Sequence, residues 1–136
     1  MKFDIATLVL RLVVGGIFSA QGYRKLLGDF DAPFGRGGLT AMITAKGLPN
    51  PALLALLTAI TELACGVLVL TGTLTLVAVV PPTAIMALAV TQFKWKAGFY
   101  GGWDWPFSVL GGCVAILLLG PGGYSVDALL DINIGF

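Results

Sequence analysis

Four runs of the chain, residues 5–27, 51–71, 74–93 and 104–119, are almost wholly apolar, and glycine, proline and charge collect between them. An α-helix needs about twenty such residues to cross the hydrocarbon core of a bilayer. Polar and small residues inside the runs are ordered. In the first, Arg11, Gly15, Phe18, Gly22 and Lys25 recur at helical spacing along one stripe, and Gly15 with Ser19 forms a small-xxx-small pair. In the second, Ala55, Thr58, Glu62, Cys65, Gly66 and Val69 make a narrow face of the same kind on a leucine-rich helix. Such faces belong inside a bundle, away from lipid. The expected fold is all-α: an integral membrane four-helix bundle, with residues 1–136 forming a single domain.

The connections refine this picture. Residues 39–45 are weakly apolar and predict a short surface helix within the first loop. Gly47-Leu48-Pro49-Asn50-Pro51 stops it, and Pro51 suits the first turn of the next helix. Only a few residues around 71–73 separate the second and third runs, so these must lie antiparallel. Pro81-Pro82 predicts a kink in the third. Residues 93–107 combine Lys94 and Lys96 with three tryptophans and a tyrosine, the composition of a membrane-interface belt more than of a nucleic-acid stacking platform. After Gly120-Pro121-Gly122-Gly123, Ser125 and Asp127 read as the N-cap and first-turn acid of a short C-terminal amphipathic helix.

Charge inside the runs needs a partner. A carboxylate at the depth of Glu62 is expensive unless it is protonated, paired or facing a polar cavity. Arg11 is the natural candidate. Counted from Ile5 and Leu70, Arg11 and Glu62 lie about 9 and about 12 Å below the same face, with Asp127 within reach of the same cluster. The pair either specifies how the bundle packs or lines a polar pocket or proton path. Arg24 and Lys25 read as interfacial anchors. Most cations lie at the two loops joining helices one to two and three to four, which places those loops in the cytoplasm and both termini outside.

Composition narrows the chemistry. The chain has 136 residues, of which 57% are hydrophobic and 11% charged, with a net charge of +1, and its mean hydropathy is +0.95. A soluble domain carries roughly a quarter charged residues, so membrane lipid is the expected surroundings and nucleic acid is not an expected partner. Histidine is absent, which removes His-ligated haem, His-based metal sites and His-activated nucleophiles. Cys65 and Cys113 form no CxxC motif and read as free packing residues, with a redox-active pair as the alternative.

Five motifs in order carry a resemblance: R-L-x-x-G-x-x-F-x-x-x-G-x-x-K-L over Arg11–Leu26, G-L-P at Gly47–Pro49, E-L-x-x-G at Glu62–Gly66, G-G-W-D-W-P at Gly101–Pro106, and G-P-G-x-x-S-x-D at Gly120–Asp127. Together they resemble the DoxX family of small four-helix membrane proteins of prokaryotes, across essentially the whole chain. The resemblance implies association with quinol-oxidase and thiosulfate:quinone oxidoreductase systems, and with a membrane oxidoreductase complex in mycobacterial relatives. It makes Arg11, Lys25 and Glu62 the characteristic charged residues, with Asp104 where an acid is usual. Gln21 stands where many relatives have histidine, which weakens any proton-relay role at that position.

Two functional readings follow. In the first, the chain is a membrane subunit for quinone-linked electron transfer, with a quinone slot built from Gly15, Gln21, Lys25, Thr58 and Gly66 beside the Arg11–Glu62 cluster. Quinone would be bound non-covalently, and electrons would come from a membrane or peripheral oxidoreductase partner or a diffusible reductant. In the second, the chain is a non-enzymatic scaffold, assembly factor, or small-solute or lipid-binding bundle. Four helices make a thin bundle, so self-association is compatible with both.

Overall fold

The computed structural model describes residues 2–28 and 35–130; parts of the first loop and of the expected C-terminal tail lie outside the described residues. The regular elements are α1 (Lys2–Leu27), α2 (Arg36–Ala45), α3 (Pro51–Thr71), α4 (Thr75–Ala78), α5 (Val80–Leu88), α6 (Asp104–Leu119) and α7 (Val126–Leu129). Among the described residues, four stretches are long and apolar enough to cross a membrane: Lys2–Leu27, Pro51–Thr71, Thr75–Phe93 and Phe99–Leu119. The architecture is a four-helix membrane bundle. Its ends are called here the loop end, where α2 and the α5–α6 connection lie, and the terminal end, where α1 begins and α7 closes.

The third span is broken, as Pro81-Pro82 predicts. The helix pauses at Val79 and restarts at Val80, which puts the prolines in the first turn of α5, where a missing N–H is no loss. A π turn over Ala89–Phe93 then carries the chain to the loop end. At the start of the fourth span the backbone is not helical at Tyr100 and Gly101. The Asp104 carboxylate accepts from the Gly101 and Trp105 N–H groups at 3.2 and 2.8 Å and fixes this turn ahead of α6.

α1 and α3 meet backbone to backbone. A Cβ at Gly15 would stand 2.6 Å from Leu70 N, one at Gly66 would stand 2.5 Å from Ser19 N, and one at Gly22 would collide with Leu63 N. Only glycine permits this approach. The glycines therefore set the register: residue 15 is level with 70, 19 with 66, and 22 with 63. This corrects the depth count, which placed Ile5 level with Leu70. The offset is ten residues, about 15 Å of helix. α1 overhangs the end of α3 by some three turns, carrying Arg11 past it, while Glu62 falls level with Tyr23.

Val14 and Phe18 of α1 and Val69 of α3 pack with Ala78, Val79, Met86, Val109, Cys113 and Ile116 in one apolar core. The opposite flank of α1 exposes Phe3, Val9, Leu12 and Val13, the surface expected to face lipid. The first-loop helix starts earlier than predicted, at Arg36. It packs on α3 and buries Ile43.

Candidate functional site

Glu62 is 1% exposed, so its partner decides what the site is. That partner is Lys25, whose Nζ donates to Oε1 and Oε2 at 3.0 Å each. Arg11 does not join them. Lys25, near the end of α1, reaches Glu62 because Gly22, one turn earlier, brings α1 onto α3 at Leu63. The carboxylate side chain is 2% exposed and the lysine side chain 15%, so the pair is buried at one end and open at the other.

Beside this pair lies a half-enclosed cavity of about 470 Å³. Four polar residues sit together on its wall: Gln21 and Lys25 from α1, Thr58 and Glu62 from α3. Glu62 lies eleven residues, about 16 Å, along α3 from its start at the loop end, so this polar wall is deep in the bundle. The remaining walls are apolar. α2 contributes Leu39, Met42 and Ile43 as a cover, and α5 contributes Ile85, Met86 and Leu88. At the loop end the π turn presents Ala89 and Phe93, followed by Lys94, with Trp105 of α6 nearby. π turns recur at functional sites because the extra residue re-aims side chains.

The polar wall has spare hydrogen-bonding capacity. An ammonium has three N–H groups and two are used on Glu62, which leaves Lys25 one donor. The Thr58 hydroxyl donates to Leu54 O at 2.8 Å and keeps its acceptor lone pairs. Gln21 brings an amide with both donors and an acceptor.

Arg11 and Asp127 form a second, separate polar centre at the terminal end. The Arg11 guanidinium donates to Leu70 O at 3.1 Å and also to Tyr124 O, and its Nε has no hydrogen-bond partner among the described residues. Asp127 accepts from Leu74 N at 2.6 Å and from Thr75 N at 2.9 Å, while its own N–H donates to Gly72 O at 2.9 Å. Arg11 thus serves the carbonyl end of α3, and Asp127 caps the amide end of α4. Gly72, at φ +77°, ends α3 in the left-handed region directly under Ser125 and Arg11. Leu74 is also left-handed, at φ 48°, and the Asp127 carboxylate holds that conformation. Ser125 caps α7 as predicted, accepting from Ala128 N at 3.1 Å.

The predicted cluster of Arg11, Glu62 and Asp127 is therefore two clusters, because glycine contact and not the ends of the apolar runs fixes the helix register. Gly15 and Gly66 do not line the cavity; they are the α1–α3 contact itself. Gln21, Lys25 and Thr58 do line it, with Glu62. Sequence reasoning missed the α2 cover, the α5 wall and Lys94. The signal for the Lys25–Glu62 pairing was present in the spacing of Gly15, Gly22 and Gly66.

Residues 6–95 match the family described as DoxX, a span running from α1 through the π turn and including Lys25, Glu62 and most of the cavity. The chain belongs to the DoxX family. This DoxX protein is similar to the "Uncharacterized membrane protein Rv3486" of Mycobacterium tuberculosis (strain ATCC 25618 / H37Rv), at 31% identity over 139 aligned positions covering 93% of this chain and 82% of the relative. No solved structure gives a match. Family, relative and four apolar spans agree that this DoxX protein is an integral membrane protein.

Proposed function

We propose that this DoxX-family protein is a membrane subunit that binds quinone in the cavity beside Lys25 and Glu62 and serves a quinone-linked oxidoreductase. The observation that carries the reading is an apolar slot of about 470 Å³ with its polar groups gathered at the deep end. Ligand sites of roughly 300–1,000 Å³ are typically apolar with a few convergent polar groups. A quinone ring needs that combination: apolar walls for ring and tail, and a donor for a carbonyl oxygen. Lys25 supplies the donor, Gln21 a second, and Glu62 holds the ammonium in place. In this reading the electrons come from an oxidoreductase partner or a diffusible reductant. The cation distribution orients the cavity mouth toward the cytoplasm, with both termini outside.

The test is purification in mild detergent followed by lipid extraction and mass spectrometry. Stoichiometric quinone that is lost in Lys25→Met, with the fold retained, is the expected result. A folded protein carrying only bulk phospholipid overturns the reading and leaves a scaffold, in which Lys25–Glu62 serves packing alone.

A further inference from the structure

The inventory of free donors and acceptors on the deep wall says more than that a polar ligand fits. We infer that this wall is built for an uncharged group that is either a hydrogen-bond acceptor or a hydroxyl, and that it turns carboxylates away. This rests on the cavity being a ligand site, as proposed above. The positive charge on the wall is already matched: both Glu62 oxygens stand 3.0 Å from Lys25 Nζ. A ligand arriving there meets one ammonium N–H that is still unused, and a carboxylate whose remaining lone pairs are open.

A carbonyl oxygen takes the free Lys25 N–H without disturbing the pair. A hydroxyl donates to a Glu62 lone pair or to Thr58, and accepts from Gln21. The quinone and quinol forms of one ligand therefore find matched partners on the same wall. An anionic head does not. To reach Lys25 it must come close to the Glu62 carboxylate, and like charges in a weakly hydrated slot repel strongly. Lys94 is the other cation among the described lining residues, at the opposite, loop end of the slot. An acid held there would have its head at the mouth and its tail inward, the reverse of the quinone pose.

The experiment compares equilibrium binding of decylbenzoquinone, its quinol and decanoate to the detergent-solubilised full chain, with circular dichroism confirming the fold. Quinone and quinol are expected to bind within about threefold of each other, and decanoate at least about tenfold more weakly. Glu62→Gln frees the Lys25 charge, so decanoate should tighten by about tenfold or more, the difference a charge-assisted hydrogen bond makes. Lys94→Gln assigns any residual decanoate binding, which should fall further. Decanoate binding as tightly as quinone to both wild type and Lys94→Gln overturns the inference but leaves the quinone reading standing. So does a folded Glu62→Gln with unchanged decanoate affinity. Wild type that binds neither quinone nor quinol sinks the functional reading itself. Should Glu62→Gln fail to fold, Lys25→Gln combined with Glu62→Gln leaves no charge on the wall. That variant removes both charges at once, so decanoate should stay at least about tenfold weaker than quinone binds to wild type; decanoate binding to the folded variant as tightly as quinone binds to wild type overturns the inference.

Discussion

Separating Arg11 from Glu62 has a measurable consequence: Glu62 should be energetically coupled to Lys25 and not to Arg11. Removing one partner of a buried pair leaves the other without compensation, typically at about 3–5 kcal/mol. The two sides of this pair are unequal. Lys25→Met strands Glu62, whose side chain is 2% exposed, and should fall in that range. Glu62→Gln strands Lys25, which is 15% exposed and near the end of α1, where its flexible stem lets the ammonium move toward water. Its loss should be nearer the 1.5–3 kcal/mol typical of a hydrogen bond to a charged group, roughly half as large. The double variant Lys25→Met/Glu62→Gln should recover much of the deficit. The assay is reversible unfolding in bicelles, with coupling taken from the double-mutant cycle. Arg11→Met and Glu62→Gln, with no shared partner, should add to within about 0.5 kcal/mol. A coupling of Glu62 to Arg11 larger than its coupling to Lys25 would refute the register on which the site rests.

Gly66→Leu should prevent α1 from seating on α3, since even a Cβ there stands 2.5 Å from Ser19 N; a melting temperature unchanged from wild type would contradict the glycine contact. Arg11→Met removes the donors to Leu70 O and Tyr124 O, at an expected loss of about 1.5–3 kcal/mol, typical of hydrogen bonds to a charged group, and limited proteolysis should cut between Gly120 and Leu130 faster than in wild type. Cys65 and Cys113 are free thiols, so alkylation after unfolding without reductant should add two labels to the intact mass.

The side-chain stripes were legible in sequence because helical periodicity is a local property. Gly15, Phe18 and Gly22 are buried as their spacing predicts, and the Pro81-Pro82 break and the Ser125 cap depend only on neighbouring residues. What failed was the level at which two helices meet. Apolar run length says how far a helix extends, whereas the meeting level is set where two backbones can touch, and here that means Gly15, Gly22 and Gly66. An error of about three turns sent Glu62 to the wrong cation. The cavity was only half legible for a related reason. Its polar wall lies on two helices whose faces could be read, but its cover comes from α2 and its far wall from a π turn, and no short-range pattern marks where those elements fold back.

The overhang of α1 also bears on how the chain matures. The α1–α3 pair joins segments close in sequence and can form once α3 has been synthesised. Arg11 then protrudes beyond α3 with its final acceptors incomplete, because Tyr124 lies 113 residues further along the chain. Asp4 waits longer still for the Gly123 N–H, 119 residues away. Contacts of such separation form late, after the loop entropy between them has been met. The terminal end therefore closes as the final event of assembly. Until then the Arg11 guanidinium lacks the Tyr124 carbonyl that it finally holds.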